Sequence, residues 1–536
     1  MTPRAATIAP DMTGNLGSWL VLLATITFAV ALYFAYPSDL GVKVGAMTLV
    51  AAVSTAVVRF DITHPYVWFG GALLLYSVSG PLLVHLGIHP YAIWGGWEIA
   101  SLDFNGAMNL QFLGFVVALL AIGPARRPLH TAATAAELQP FFHGAFVICI
   151  LGLLMGMVSV YEIVYQGFTE RTQYAISGGA LSRFSFGFNI LATALGVYTA
   201  KQLNENRISM AAACALFTVV AGILVIGAIG QRHFLFRTGI ILVFAYHLFH
   251  RPLSMRMLFL IVLTALVAGS VLSGYKMALL VEQAGLNPDL GFLDKLQESI
   301  ALRNPSLLLD PVWLRYIKLG IAAALGTEAM TPGNNMAMML SRVPHDLPYF
   351  AGATVPTDIA RAVLPGFLVA NLLDSTGALY NELVFPENTA QGGGVGFSII
   401  GYGYIHFGIA GVVATMALVG VAMRLIYTFA SRSALGILFF MGFVPVGVYI
   451  ARNDLTAPLS QGLKHVLLPL ILMLVVSTLL GHRGPAADRR AGIDRRAEPA
   501  VLARHLERER RRAAERRNNP TRRRGKRTGA TDRATP

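Results

Sequence analysis

The sequence predicts an all-α, polytopic membrane protein, and three observations predict it. Hydrophobic residues make up 55% of the 536-residue chain and charged residues only 13%, where a soluble domain carries about a quarter charged; the mean hydropathy is +0.59. The apolar residues gather into runs of about 20, the length a helix needs to cross a ~30 Å hydrocarbon core. Those runs lack the alternation of barrel strands, and a helix pairs all its peptide groups within one segment, as hydrocarbon demands.

Taken in order, the first apolar run lies at about residues 16–36. It has no small-residue cleavage site after it and reads as a retained span. Further runs follow at about 41–58, 67–88, 107–123, 140–163, 182–200, 209–230, 238–249 and 257–275, and complete a transmembrane block over 1–274. The run at 238–249 reaches spanning length only if it begins near Phe234. Residues 275–396 form a large central loop, and runs at about 405–428, 433–451 and 462–481 make a second block over 397–481. Twelve spans are therefore expected, with 482–536 left as a tail.

The net charge of +14 suggests nucleic acid until it is located. From His482 onward there are 18 Lys and Arg against 7 Asp and Glu, so the tail holds +11 and the rest of the chain only +3. Without interleaved aromatics for base stacking, the tail does not point to nucleic acid. A polybasic segment after the last span instead gains about 1 kcal/mol per cation at an anionic leaflet, and 501–517 can form a basic helix there. Cys149 and Cys214 both lie in apolar runs, so neither a disulfide framework nor a thiolate site is indicated.

Orientation follows from the cytoplasmic excess of Lys and Arg in short loops. Arg59, Arg126 with Arg127, Lys201 with Arg207, Arg251 with Arg256, and Arg424 with Arg432 fall in alternate turns. All of them, with the tail and both termini, are expected in the cytoplasm. The opposite side receives the turn at 37–40, loops at about 89–106, 164–181 and 231–237, the central loop, and the turn at 452–454. Arg171, Arg183, Arg232 and Arg237 stand on that side against the bias.

The central loop is where chemistry is expected. Residues 293–302 and 313–325 read as short amphipathic surface helices, with Trp313 and Tyr316 suited to a membrane interface. Ser341 to Phe350 is broken by two prolines and carries Arg342, His345 and Asp346. The apolar run 362–373 is too short to span and is interrupted by Pro365, so it reads as a re-entrant or interfacial piece presenting Arg361 at the bilayer surface. Arginine binds phosphate oxygens bidentately and never loses its proton, which suits Arg232, Arg237, Arg342 and Arg361 to a lipid diphosphate. If that diphosphate is a leaving group, the same cations stabilise its developing charge without a metal or cofactor. An acceptor hydroxyl then needs a base, and His345, Glu328, Asp346 and Glu382 are the candidates. Each residue has a plainer reading: Arg232 and Arg237 can snorkel to headgroups, Arg342 and His345 can pair with Asp346, and Arg361 can cap a helix. No His, Cys or Asp cluster has metal spacing. Gly392 to Gly396 lacks the strand and the Lys-Ser/Thr of a phosphate loop and reads as a connector. Asp39, beside Pro37, reads as a turn former, with a catalytic acid as the sharper alternative.

Three stretches, Gln231-Arg-His-Phe-Leu-Phe-Arg237, Ile359-Ala-Arg-Ala-Val-Leu-Pro365 and Gly401-Tyr-Gly-Tyr-Ile-His-Phe-Gly-Ile-Ala-Gly411, together with this layout, resemble the bacterial O-antigen and oligosaccharide repeat-unit polymerases, a family related to the O-antigen ligases. The resemblance covers about residues 180–450. It implies an inner-membrane glycosyltransferase that joins undecaprenyl-diphosphate-linked oligosaccharides on the periplasmic face, lengthening an O-antigen, capsule or exopolysaccharide. Arg232 and Arg361 would bind the diphosphate, membrane lipids would surround it, and a chain-length regulator would be a fitting partner. Where family members often carry an acid before the tyrosine, this chain has Gly401-Tyr402 and Gly403-Tyr404. The rival readings are an O-antigen ligase, a transferase using polyprenyl-phosphate sugars with Asp39 as its acid, and, from another class, a transporter or flippase of lipid-linked oligosaccharide.

Overall fold

A computed structural model describes residues 12–86, 102–126, 232–249, 331–364, 374–390 and 398–479, with a few isolated positions between them. The expected spans near 140–163, 182–200, 209–230 and 257–275, the surface helices at 293–302 and 313–325, Glu328 and the basic tail lie outside this set or almost wholly so. Every element among the described residues is helical.

The chain opens with α1 (Met12–Ala35), α2 (Leu40–Val57), α3 (Pro65–His85) and α4 (Phe104–Ile122). The starts of α2, α3 and α4 are capped by side chains, as helix N-termini require. Asp39 accepts from the Val42 N–H at 3.0 Å, and Asp103 accepts from the Gly106 N–H at 2.7 Å. Asp39 thus takes the turn-forming role. Next come α5 (Arg232–Phe249), α6 (Thr331–Arg342), α7 (Val355–Val363), α8 (Thr376–Val384) and α9 (Pro386–Ala390). The remainder is α10 (Ile399–Ala430), α11 (Ala434–Ile450), and α12 (Thr456–Gln461), which runs through a π-helical turn (Gly462–Leu467) into α13 (Leu468–Leu479).

Among the described residues, six helical stretches are long and apolar enough to cross a membrane: α1 to α4, α10, and the run from Thr456 to Leu479. The protein is therefore an all-helical membrane protein. Exposed leucines and phenylalanines on these helices, such as Phe34, Leu418, Leu425 and Leu479, fit a surface solvated by lipid.

Two features depart from the expected layout. First, α6 lies within the segment read as an external loop, yet Met336, Ala337, Met338 and Met339 are buried against α3 and α4. Gly333 sits so close to the Ser77 carbonyl and the Pro81 ring that a methyl group there would stand 3.0 to 3.1 Å from them. Helix α6 is thus packed into the helical body although it falls within the segment expected to form a loop. Helix α7 ends at Val363, with Leu364 extended at φ −85° and ψ 152°, because a residue before proline is driven out of the helical region.

Second, α10 is two helices. Phe407 (φ −140°, ψ 22°) and Gly408 (φ 61°, ψ −142°) break it, and only glycine takes the second conformation cheaply. The chain reverses there. Gly403 packs directly on the Gly411 carbonyl, and Ile400 and Met416 meet the same point on α4, Gly114. The spanning arm therefore begins after Gly408, and 399–406 folds back along it. The carbonyls of Ile405 and His406, stranded by the break, accept the N–H groups of Phe350 and Ala351 at 2.9 and 3.1 Å.

Segments assigned to one side by charge do meet. Arg126 reaches Asp61 at 3.9 Å and His64 packs on Tyr427, grouping the turns near 59, 126 and 424. At the other end Lys43 donates to the Asn105 carbonyl, and the 452–456 turn meets the central segment.

Candidate functional site

The central segment closes around one buried carboxyl group. Asp358, in the first turn of α7, is 0% exposed and accepts four hydrogen bonds. Oδ1 takes the Thr376 N–H at 2.8 Å and the Thr456 hydroxyl at 2.9 Å; Oδ2 takes the Thr376 hydroxyl at 2.5 Å and the Tyr402 hydroxyl at 2.9 Å. Helices α8, α10 and α12 are each held to α7 through this one side chain. Such a cluster stabilises because every donor is satisfied while Asp358 and Thr376 are fully buried.

The cluster continues to His406, which is 2% exposed. Thr376 has one hydroxyl proton, and Asp358 receives it. Its lone pairs therefore accept from Thr354 Oγ1 at 2.5 Å and from His406 Nε2 at 3.2 Å. That assignment puts the imidazole proton on Nε2 and leaves Nδ1 a lone-pair acceptor. Nδ1 is buried and has no hydrogen-bond partner.

Asp454, half-buried in the turn before α12, completes the acidic side. Burial pushes its carboxyl up to about 6, and the charge of Asp358 adds to the rise against backbone N–H groups led by Ala457. A group with that affinity takes a proton readily near neutrality. Because its folded pKa lies above the ordinary 3.8, its contribution to stability is complete below about pH 4 and is lost as pH rises to about 6. Asp454→Asn is therefore expected to melt close to wild type at pH 4 and to be more stable by about 3 kcal/mol at pH 7. Equal offsets in detergent melting curves at the two pH values would show the assignment wrong.

The arginines fare differently. Arg361, one turn beyond Asp358 and 27% exposed at its side chain, bonds Asp374 at 3.1 Å and the Leu372 carbonyl at 3.0 Å. Arg342 is exposed at the end of α6 and pairs with Asp346 at 3.0 Å. Arg237 is only 6% exposed: its guanidinium lies over the Tyr449 ring at 5.1 Å and donates to Gln461 Oε1 at 2.5 Å. Arg237 therefore neither snorkels nor meets a headgroup at the surface. It is tied to the far end of the same helix, α12, that begins at Thr456 against Asp358. Arg232 opens α5, and its side chain falls outside the description.

Of the candidate bases, His345, Asp346 and Glu382 are all exposed, Asp346 being held by Arg342. Glu328 falls outside the described residues. The acid–base groups that the fold gathers are Asp358, Asp454 and His406, and sequence reasoning passed over all three. His406 did lie in view inside the Gly401–Gly411 stretch. No group of three or more His, Cys, Asp or Glu among the described residues could hold a metal.

Helix α7 also carries its polarity inside out. Asp358 and Thr357 are buried, whereas Ile359 and Val363 are exposed, followed by exposed Leu364, Leu368 and Leu372. That arrangement fits a helix lying against lipid with its polar face toward the protein. Comparison with protein-family models, curated proteins and solved structures returns no match.

Proposed function

We propose that this membrane protein is a glycosyltransferase that extends undecaprenyl-diphosphate-linked oligosaccharides at the periplasmic face of the inner membrane. The observation that carries this reading is helix α7: an apolar face turned outward, Arg361 at its edge, and a buried acidic cluster on its inner side. An anionic lipid carrier has the matching form, an apolar chain with a diphosphate head. In the reaction an acceptor hydroxyl forms a bond to the anomeric carbon of the donor sugar. The bond from that carbon to the diphosphate breaks, and its electron pair leaves on the phosphate oxygen beside Arg361. The hydroxyl proton passes to Asp454. Arg342 and Arg232 are secondary cations in this scheme, and Arg237 holds α12 in place. Both termini lie in the cytoplasm, and a chain-length regulator is a fitting partner.

Deleting the gene tests the reading through the surface glycan. A polymerase leaves single repeat units in place of long chains. Long chains retained on the lipid carrier would instead identify a ligase, and an unchanged glycan would reject the whole class. A carrier or flippase is the second reading, favoured by the helix broken at Gly408, since broken helices line the paths of many transporters. It predicts lipid-linked repeats trapped on the cytoplasmic leaflet.

A further inference from the structure

The fold leaves one buried positive charge without a negative one. Arg237, in the second turn of α5, is 6% exposed, and no carboxylate among the described residues forms an ion pair with it. Its hydrogen-bond partner is neutral: Nη2 donates to Gln461 Oε1, and the guanidinium rests on the Tyr449 ring at 5.1 Å. A second guanidinium, that of Arg452, lies over the same ring at 5.9 Å. Asp454, two residues further on, does not meet the need, since its carboxyl takes the Ala457 N–H at 3.2 Å. Burying a charge costs more than a neutral acceptor and a ring face return, so buried charges are matched by opposite ones. Here the opposite charge has to come from outside the chain. A way in exists: Tyr449, Arg452 and Gln461 are only half-buried, and no nitrogen of Arg237 is both sealed and unbonded.

We propose that Arg237 and Arg452 form an oxyanion subsite that takes the carboxylate of an acidic sugar in the glycan. Arginine's planar fork meets the two oxygens of a carboxylate at once. Neutral sugars and hydrocarbon bring no charge and leave Arg237 unmatched. The position suits a group other than the diphosphate. Gln461, at Arg237, and Thr456, at Asp358, lie five residues apart on one continuous helical run, about 7–8 Å of rise. The subsite therefore lies beside the acidic cluster, near enough for one oligosaccharide to touch both, while Arg361 stands on α7 across that cluster.

The subsite rests on the glycosyltransferase reading for the identity of its ligand, so binding and turnover are measured separately. The full chain in phosphatidylcholine nanodiscs is first melted in inorganic phosphate and in chloride at equal ionic strength. Phosphate is expected to raise the wild-type melting temperature by about 2–4 °C, as a ligand of the folded protein alone does. Gln461→Glu sets a carboxylate against Arg237 in place of the amide, so it is expected to melt higher in chloride and to lose the phosphate response. Arg237→Gln loses that response too. Calorimetry then compares the oligosaccharide released by mild acid from the cell's own surface glycan with the same oligosaccharide after its carboxyl groups are reduced to alcohols. Wild type is expected to hold the acidic form about tenfold more tightly, and Gln461→Glu to hold both alike. A phosphate response equal in wild type and Gln461→Glu, or absent from wild type, overturns the subsite while leaving glycosyl transfer untouched; so does equal binding of the two oligosaccharides by wild type. A response that disappears when phosphatidylglycerol enters the nanodisc gives Arg237 to a lipid headgroup and overturns the acidic sugar. Preference for the acidic form, removed by Gln461→Glu, in a protein without turnover keeps the subsite and overturns the transferase.

Discussion

Asp358→Ala lowers the unfolding free energy by about 3–5 kcal/mol, the largest stability loss expected of any single change outside the apolar packing. The reason is the number of donors left behind. The Thr376 N–H and the hydroxyls of Thr376, Tyr402 and Thr456 all aim at this carboxyl, and alanine offers them nothing where Asp358 and Thr376 are fully buried. Hydroxyls can turn elsewhere; the Thr376 amide cannot, since it sits in the first turn of α8, where helix N–H groups have no partner within the helix. Asp358→Asn separates the contributions. It keeps an acceptor at Oδ1 for the amide and Thr456 but sets an NH2 against the hydroxyls, so the expected loss falls to about 1–2 kcal/mol. Detergent melting curves of the three proteins check the order. An alanine variant as stable as wild type would mean that the four bonds do not hold α8, α10 and α12 to α7.

How far the sequence shows this arrangement depends on the range of the interaction. Spans read from apolar runs survive well: α1 to α4 begin and end within a few residues of the expected limits, since span length depends on local hydrophobicity alone. Some turns that the arginine pattern places together do meet, as Arg126 and Asp61 do at 3.9 Å, while Arg237 and Arg452 both lie over the Tyr449 ring. The buried site was not legible in the same way. Asp358 owes its place to partners 18, 44 and 98 residues away, and an aspartate in an amphipathic stretch looks like any solvated one. Helix α6 was hidden by its opening Thr-Pro-Gly-Asn-Asn, a run that marks turns in most settings; the Met-Ala-Met-Met that follows was the available signal. The reversal in α10 was hidden by continuity, since 399–430 is apolar throughout. The glycines at 403, 408 and 411 were its trace, two for the close crossing of arms and one for the positive φ between them.

Arg361→Ala is expected to reduce long glycan by about a hundredfold, because a cation that neutralises charge developing on a leaving group is typically worth 10²–10³ in rate. Its present partner makes the expectation more specific. Arg361 shares its guanidinium with Asp374, which is 52% exposed at its side chain, and exposed ion pairs contribute only about 0–1 kcal/mol. Under the proposed reading, a dianionic diphosphate displaces Asp374 at small cost, and Asp374 then acts as a competitor for the same fork. Removing the competitor should help: Asp374→Ala is expected to lower the donor KM severalfold with little change in melting temperature. Arg361→Lys keeps the charge but gives up the bidentate geometry, placing it between wild type and alanine. The series is read by glycan length in cells and by turnover of lipid-linked repeats in nanodiscs. Long polymer at wild-type levels from Arg361→Ala would remove this arginine from the reaction, and with it the reason to place the diphosphate at the edge of α7.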